Sequence, residues 1–376
     1  MKLLFFIPSL QCGGAERVAV TLCNRWAECG WDVTLATFDD GTVPPFFQPA
    51  DAVRHVPLGL QRRRTGFWYS IVNNVRRVPR LRRFIAAERP DRIVSFIDAT
   101  NVLSLIAAWG TGIPVVVSER TVPERHPVPA GWRFLRRLTY PRAHAIVLQT
   151  QTAAAYFPAS WARRIAVLPN PVPRCTARSE AGEALRDGPR WLLAMGRLEP
   201  PKGFDLLIRA FARIASAYPL WNLRILGEGP DRESLERQIA NAGLTERVSL
   251  PGAESDPGAA LRHGDAFVLS SRYEGFPNAL CEAMACGLPV VAFDCPTGPA
   301  EIVSDGVDGL LVPAENIEAL AAAIAGLIDD PRLRQELARS AVNVSDRFSV
   351  ERVAAQWERV LIHGSGAAVE AVGEGG

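Results

Sequence analysis

The chain is nearly without lysine. Of its 42 lysine and arginine residues 40 are arginine, and the lysines are Lys2 and Lys202. An internal lysine in so arginine-rich a chain hints that Lys202 has a function of its own. Apolar runs are also short, and none approaches the roughly 18 residues that a membrane-crossing helix needs. The N-terminus lacks the layout of a cleavable signal, so we predict a cytoplasmic protein.

Paired metal ligands are missing as well. The seven cysteines form no CxxC array and have no regular spacing, which favours free, buried thiols over zinc sites or disulfides. The five histidines have no metal-ligand spacing, and no Ser/His/Asp order is readable. We therefore predict no required metal and no other cofactor.

Negative charge is scarce in the first half. Residues 1–170 carry 22 Lys and Arg against 11 Asp and Glu, a net charge of +11, whereas the remainder carries 20 against 29, a net charge of −9. A basic half is expected where one half faces an anionic partner. With 376 residues, of which 48% are hydrophobic and 22% charged, the chain can form two ordinary folded domains.

Apolar strands alternate with helical stretches along the chain. The first strand, 2–7, is followed by a helical pattern at 14–29 and a second strand at 33–38, and further pairs follow. Such alternation predicts a parallel sheet covered on both faces. The pattern breaks at the proline-rich segment 169–173 and restarts with a strand at 191–195.

These breaks predict an α/β protein of two doubly wound, Rossmann-like domains. The first covers residues 1–170 and the second covers 171–349. Residues 350–362 have the pattern of an amphipathic helix, which we expect to complete the first domain. The Gly/Ala-rich residues 363–376 predict a flexible tail.

Glycine-bearing turns follow a strand in each predicted domain. Gly13 and Gly14 follow the first strand, where glycines let backbone approach a ligand at a helix N-terminus. No third glycine completes a GxGxxG pattern, so dinucleotide binding is weakly supported, and a tight turn explains these glycines equally well. Gly227 could let a flat base approach the backbone, or it could belong to an ordinary turn.

Two cations follow the first strand of the second domain. Arg197 and Lys202 lie in the loop 196–203, at the carboxyl end of a strand, where open α/β sheets bind ligands. A pair of fixed cations can neutralise a departing diphosphate without a metal. Both could instead be solvated loop charges, but the lone internal lysine favours a functional role.

Two carboxylates bracket the start of a short predicted helix in the second domain. Glu274 lies in the Gly/Pro/Asn loop before this helix, and Glu282 lies about one turn into it. Both side chains can reach the space above the free N–H groups of the helix start, where the helix dipole favours a phosphate. The stretch predicts a site for a ligand that carries phosphate and hydroxyl groups.

Arginines of the first domain are interleaved with aromatic residues. They form three groups: Arg62–Arg64; Arg76, Arg77, Arg80, Arg82 and Arg83; and Arg133, Arg136 and Arg137. Such a surface suits anionic lipid headgroups or a diphosphate. It would also suit nucleic acid, although no nucleic-acid-binding motif accompanies it, or it could be a merely solvated face.

Together these motifs resemble the family 4 retaining glycosyltransferases of GT-B fold, in which two Rossmann-like domains face each other across a cleft. The resemblance spans Lys2 to about Leu361. It rests on Glu274 and Glu282 in Tyr-Glu-Gly-Phe-Pro…Glu-Ala-Met-Ala-Cys-Gly-Leu-Pro-Val-Val-Ala, on Gly196-Arg197…Lys202-Gly203, on Gly13-Gly14-Ala15-Glu16 and on Pro169-Asn170. Ser118-Glu119-Arg120 and the stretch 294–299 are similar to the bacterial subgroup that extends polyprenyl-diphosphate-linked sugars.

The resemblance implies a role for each site residue. Arg197 and Lys202 would hold the diphosphate of a UDP-sugar, Glu274 would face the donor sugar, and Glu282 would bind the ribose. The other donor contacts would come from Gly275, Phe276, Pro277, Asn278 and Ala279 at the phosphates and sugar, from Gly227 and Pro251 at the base, and from Gly13 and Gly14. The donor would bind mainly to the second domain.

The acceptor side is predicted in the arginine-rich first domain. There, Arg76, Arg77, Arg80 and Arg83 would contact a lipid-linked saccharide and an anionic membrane surface. Many family members carry a histidine near the donor sugar, and Glu119 stands about where that histidine is expected. A dedicated base is not needed if the leaving phosphate assists deprotonation on the same face.

The resulting hypothesis is a transferase that moves a hexose or N-acetylhexosamine from a UDP-sugar to a polyprenyl-diphosphate-linked saccharide with retention. It would be cytoplasmic, peripherally attached to the inner face of the cytoplasmic membrane, and without nucleic acid as a partner. Two alternatives stay open. One is a GT-B-fold UDP-GlcNAc epimerase, which has no acceptor, and the other is a nucleotide- or nucleic-acid-binding module without catalysis.

Overall fold

The chain folds into two compact units, each built on a parallel sheet. The computed structural model describes residues 1–60, 67–120, 128–175, 188–254 and 256–365, excepting the side chains of 67–76. The first unit is Met1–Pro171 together with the segment that begins at Val350, and the second is Val172–Ser349. The alternation of apolar strands with helical patterns therefore produces the predicted α/β class.

The first unit alternates strand and helix from its start. Its strands are β1 (Lys2–Ile7), β2 (Asp32–Thr37), β3 (Val53–Pro57), β4 (Arg92–Phe96), β5 (Val115–Ser118), β6 (Ala145–Leu148) and β7 (Ile165–Val167). Its helices up to the end of β7 are α1 (Gly14–Glu28), α2 (Phe67–Glu88), α3 (Asp98–Ala108), α4 (Ala130–Thr139) and α5 (Gln151–Ala155). Within the described residues the strand order is β3-β2-β1-β4-β5-β6-β7, and all neighbours are parallel.

The second unit repeats the pattern with a six-stranded sheet in its described part. Its strands are β8 (Arg190–Met195), β9 (Trp221–Leu226), β10 (Val248–Gly252), β11 (Ala266–Leu269), β12 (Val290–Asp294) and β13 (Leu310–Pro313). Its helices are α6 (Phe204–Ile214), α7 (Arg232–Asn241), α8 (Pro257–Arg262), α9 (Asn278–Ala285), α10 (Pro299–Ile302), α11 (Ile317–Asp329), α12 (Pro331–Ala341) and α13 (Val344–Arg347). The order is β10-β9-β8-β11-β12-β13, so the direction of winding reverses between β8 and β11.

The last helix, α14 (Val350–His363), belongs to the first unit. Its Trp357 is buried and meets the ring of Trp26 on α1 edge-on, with ring centroids 6.3 Å apart. A flexible tail was predicted from residue 363, but His363 is helical and the buried Ser365 donates a hydrogen bond to the Arg163 carbonyl, so these residues belong to the folded unit. The rest of that predicted tail lies outside the described residues.

Sequence reasoning missed two of the four edge strands in the described part of the chain, β3 and β13. β3 lies at one edge of the first sheet and buries only Val53 fully, so it shows no apolar run. β13, of four residues, lies at an edge of the second sheet. Edge strands are half exposed and short, which removes the signal that identifies a central strand.

Helix α2 is the longest helix in the described part of the chain. It spans 22 residues but contains five arginines and Pro79. None of the helices described is both long enough and apolar enough to cross a membrane.

The expectation of free thiols is wrong for one pair. Cys175 and Cys286 form a disulfide with their Cα atoms 5.0 Å apart, which links the start of the second unit to the end of α9. The pair is separated by 111 residues, so only the folded chain brings it together. Burial is also incomplete among the remaining cysteines, of which Cys12 and Cys29 are exposed and Cys23, Cys281 and Cys295 are buried.

Candidate functional site

The reversal of the second sheet brings two loops side by side. β8 and β11 are hydrogen-bonded neighbours, and the loops that follow them, 196–203 and 270–277, leave the sheet at its carboxyl edge. Ligands of open α/β sheets bind at such a reversal, because the adjacent loops diverge there and leave a crevice. The candidate site lies on these two loops.

An ion pair joins the two loops. Lys202 Nζ lies 2.6 Å from Glu274 Oε1, and the Ser271 hydroxyl donates to the same oxygen at 2.6 Å. The Glu274 side chain is 7% exposed, whereas that of Lys202 is 28% exposed and can reach a ligand. No described residue hydrogen-bonds to Glu274 Oε2, so this oxygen can accept from a sugar hydroxyl. Two predicted catalytic residues, distant in sequence, are thus brought together.

The close approach of the loops depends on Gly203. Its φ of +63° lies in the left-handed region, and a Cβ added there would lie 2.0 Å from the Ser270 carbonyl oxygen. The Ser270 hydroxyl in turn donates to the Lys202 carbonyl at 3.0 Å. Only glycine combines this backbone conformation with this contact.

An arginine that sequence reasoning overlooked braces the Lys202 loop. Arg272 donates to both carboxylate oxygens of Asp205 at 2.8 Å and to the Pro200 carbonyl at 2.7 Å. Partial burial acts to raise the pKa of Asp205, but hydrogen bonds from Arg272 and Arg209 outweigh it and hold that pKa below its ordinary value. The sequence shows an acidic residue in the first turn of α6 and an arginine in the loop after β11, but nothing in it shows that the two residues pair.

Arg197 occupies the turn directly after β8. Its side chain is 54% exposed, and its Nη1 lies 3.2 Å from Glu199 Oε1. The preceding Gly196 packs on Lys202, since a Cβ there would lie 3.3 Å from Lys202 Cδ. Arg197 therefore lies at the same edge of the sheet as the ion pair.

Helix α9 carries the second predicted carboxylate. Glu282 is the fifth residue of this helix and is 9% exposed. The Glu274 carbonyl, in the loop before this helix, accepts a hydrogen bond from the Thr297 hydroxyl. This bond joins the loop after β12 to the site. The five residues predicted to contact the phosphates and the sugar differ in exposure. Phe276 and Pro277 are buried, and Gly275, Asn278 and Ala279 are half-buried. Phe276 packs edge-on against Phe348, so its ring serves the core and leaves backbone to meet a ligand.

The residues predicted to hold the base lie at the same sheet edge. Gly227 N donates to the Gly252 carbonyl at 2.7 Å, which joins the ends of β9 and β10, and the exposed Pro251 adjoins this contact. A Cβ on Gly227, whose φ is +151°, would lie 1.9 Å from the Gly196 carbonyl oxygen. The ends of β8, β9 and β10 are therefore in direct backbone contact.

Gly13 and Gly14 start α1 at the carboxyl edge of the first sheet, as the sequence predicts. Glu119, the acceptor-side candidate, follows β5 but is only 4% exposed. It accepts a hydrogen bond from the Tyr140 hydroxyl at 2.5 Å and lies 3.6 Å from Arg136 Nη1. Burial raises the pKa of Glu119 against the opposing effect of these two partners.

The arginines predicted on the acceptor side differ in exposure. Arg77 is half-buried and its Nε donates to the Leu60 carbonyl at 2.9 Å, whereas Arg80 and Arg83 are exposed. The side chain of Arg76, and Arg62–Arg64 altogether, lie outside the described residues.

Ionisable groups near the site offer neither a metal cluster nor a reactive thiol. In the part of the chain that the structure describes, no three His, Cys, Asp or Glu residues are grouped to hold a metal ion. Burial, and then the charge of Glu274, raise the pKa of Cys295 to about 12, so this thiol stays protonated near neutral pH.

Both units match known protein families. Residues 13–171 match the family described as "glycosyl transferase 4-like domain", and residues 177–344 match "glycosyl transferases group 1". The first match falls within the first unit and the second falls within the second unit.

Similar proteins include transferases of glycan assembly. An alpha-1,4-N-acetyl-D-galactosaminyltransferase of a diNAcBac-PP-undecaprenol-linked saccharide from Campylobacter jejuni is 26% identical, over 96% of this chain and 98% of its own. The amylovoran biosynthesis glycosyltransferase AmsD of Erwinia amylovora is also 26% identical, over 96% and 99%. The Anabaena protein HepE, solved with UDP and glucose, superposes with a TM-score of 0.78 at 23% identity, over 96% and 100%.

Proposed function

Because the chain belongs to the GT-B-fold glycosyltransferases, with a glycosyl transferase 4-like domain before a group 1 domain, we propose that it transfers a hexose or N-acetylhexosamine from a UDP-sugar to a polyprenyl-diphosphate-linked saccharide. Two relatives are named as transferases of undecaprenol-linked saccharides, and a third is named for amylovoran biosynthesis. The observation that carries the proposal is the Lys202–Glu274 ion pair at the reversal of the second sheet.

The donor is proposed to be a UDP-sugar bound to the second unit. Support comes from HepE, a structural neighbour solved in complex with UDP and glucose. In this chain the backbone-lined ends of β9 and β10 would meet the base, and Glu282 the ribose. Lys202 and Arg197, which carry positive charge on one loop, would meet the diphosphate.

The chemistry follows from where charge develops. As the bond from the anomeric carbon to the diphosphate breaks, negative charge grows on the leaving oxygen and positive charge grows on the sugar ring. The Lys202 ammonium stabilises the former, and the Glu274 carboxylate, fixed by Ser271, stabilises the latter. Retention on one face, with a phosphate oxygen taking the acceptor's proton, requires no further base and agrees with the buried position of Glu119.

The acceptor is proposed to reach the site from a membrane surface. The first unit presents exposed arginines on α2 and α4, among them Arg80, Arg83, Arg133 and Arg137. A basic surface attracts anionic headgroups at roughly 1 kcal/mol per arginine near the membrane. The proposal thus includes peripheral attachment of the protein to the membrane that holds its substrate.

Mass spectrometry of the acceptor tests the function directly. The wild-type protein is incubated with UDP-glucose, UDP-galactose, UDP-GlcNAc or UDP-GalNAc and a polyprenyl diphosphate bearing one N-acetylhexosamine. We expect the acceptor to gain the mass of one hexose or N-acetylhexosamine with at least one donor. Interconversion of UDP-sugars without UDP release would identify an epimerase instead, and binding of UDP-sugars without turnover would identify a non-catalytic module.

A further inference from the structure

The first unit contains a pocket that the proposed donor chemistry does not use. It has a volume of about 330 Å³ and an apolar wall that includes Leu105, Ile113 and Pro114. Val115 places it at the amino end of β5, whereas Glu119 follows the carboxyl end of that strand. A four-residue strand spans about 13 Å, so the pocket lies at the opposite edge of the sheet from Glu119.

Positive charge collects in this pocket. Arg142, Arg164 and His144 line it, and no carboxylate does among the described residues. Neither arginine forms an ion pair with a carboxylate in the described ranges. Arg164 Nη1 donates to the Ala143 carbonyl at 2.9 Å, which fixes its guanidinium at the pocket wall. Burial, then the charges of Arg92 and Arg164, lower the pKa of His144, as expected where cations are concentrated.

An exposed tryptophan lines the pocket. Trp109 is 56% exposed and lies under the Arg142 guanidinium, whose central carbon is 4.2 Å from a ring centroid. Arg142 also donates to the Leu138 carbonyl of α4, and on this helix, next to the residues that line the pocket, Leu138 and Phe134 are 48% and 62% exposed. A tryptophan and apolar side chains beside arginines are typical of surfaces at the headgroup level of a membrane. A site for free phosphate needs no exposed apolar side chains beside it.

We propose that this pocket binds the phosphate headgroup of an anionic membrane lipid. Arg142 and Arg164 would contact the phosphate, and Trp109 would lie among the headgroups. The inference rests on the proposed function, since a transferase of a lipid-linked acceptor works at a membrane. Because α4 leads from the loop after β5 back to the start of β6, it connects the carboxyl edge of the sheet to the pocket. A lipid bound in the pocket would therefore fix the position of the carboxyl edge of the sheet relative to the membrane.

Vesicle binding by the full chain tests the pocket. The Arg142→Gln/Arg164→Gln double variant is compared with wild type and with Arg332→Gln/Arg339→Gln, which removes the same charge from exposed positions of α12. On phosphatidylcholine vesicles with one fifth phosphatidylglycerol, we expect the pocket variant to bind at least tenfold more weakly and the control to bind within twofold of wild type. Arg142→Lys should retain most of the binding, and matched thermal unfolding of all variants checks that they fold.

Other outcomes contradict the proposal. Equal weakening of both double variants would indicate a general charge effect, and unchanged binding of the pocket variant would remove the pocket from the account. Inorganic phosphate at 10 mM should displace little more protein from the vesicles than sodium chloride does at the same ionic strength. Full displacement by phosphate alone would identify a free-phosphate site. Wild-type UDP release with a lipid-linked acceptor is measured in parallel, so a failed pocket and a failed transferase are separately visible.

Discussion

At the scale of single residues, the site depends on the contrast between Lys202 and the arginines around it. An ammonium is a compact charge with three rotatable donors, so it can contact Glu274 and a phosphate oxygen at once. Sequence reasoning singled out Lys202, Glu274 and Arg197 as candidates, because charged residues after strand ends form a recognisable pattern. It missed Arg272, because nothing in a sequence shows that its partner is Asp205, 67 positions away.

Replacing Lys202 should impair turnover far more than replacing the other lysine. We expect Lys202→Met to lower kcat by about 100-fold or more, the loss typical when a preorganised charge is removed from a developing anion. Lys2→Met, which alters a partly exposed lysine of the first unit, should stay within twofold of wild type. Steady-state UDP release checks both variants, and equal activity of the two would remove Lys202 from the chemistry.

At the scale of elements, the site is a consequence of how parallel strands are ordered. Central strands such as β1 and β11 are buried apolar runs that can be read from the sequence, and the turns after them could therefore be placed. Which strands are neighbours could not be read, because β8 and β11 are separated by two other strands in the chain. The edge strands β3 and β13 were not predicted, because polar residues interrupt β3 and β13 is only four residues long.

The destabilising effect of a side chain in the tight contact at Gly203 can be measured separately from the effect of the left-handed backbone conformation. Gly203 and Gly243 both have positive φ, +63° and +68°, but a Cβ at Gly243 has no atom within 4 Å. We expect Gly203→Ala to destabilise the protein by more than about 1 kcal/mol beyond Gly243→Ala, because it must also push Ser270 away. Urea unfolding followed by circular dichroism measures the difference, and equal destabilisation would show that the loops adapt freely.

The brace between the loop after β11 and α6 should be sensitive to acid. The pKa of Asp205 is lowered in the fold from 3.8, so its ionised form stabilises the folded state above that pH, and this stabilisation disappears as the pH falls through the lowered value. The stability difference between wild type and Asp205→Asn should therefore be present at pH 6 and shrink below about pH 4. Urea midpoints from pH 3 to pH 7 provide the measurement. In an Arg272→Gln background the effect of Asp205→Asn should be smaller, and an undiminished effect would exclude coupling of the pair.

At the scale of the whole molecule, the chain combines two units of the same fold class, and the net charges of the two units have opposite signs. The fold class and the resemblance to GT-B glycosyltransferases are confirmed by the sheet topology, the family matches and the structural neighbours. The disulfide between Cys175 and Cys286 was not foreseen, because a pairing across 111 residues depends on the tertiary fold. The basic first unit and the acidic second unit fit a molecule that holds its donor on one unit and meets an anionic surface with the other.

A metal should not be needed for turnover. The proposed charge compensation comes from Lys202 and Arg197, so treatment with 5 mM EDTA should leave kcat within twofold. Assays after dialysis against EDTA, with and without added Mg²⁺ or Mn²⁺, check this expectation. Loss of activity that a divalent ion restores would show that side-chain cations alone do not neutralise the leaving diphosphate.

The central claim is that Glu274 and its loop form the active centre of an acceptor-dependent transferase. The most direct measurement is UDP release from pooled UDP-hexoses and UDP-N-acetylhexosamines, with and without a polyprenyl diphosphate bearing an N-acetylhexosamine. The account predicts release only with the acceptor, a loss of about 100-fold or more in Glu274→Gln, and wild-type release in Glu318→Gln, an exposed carboxylate of the same unit. Undiminished release by Glu274→Gln, or release that does not depend on the acceptor, would contradict it.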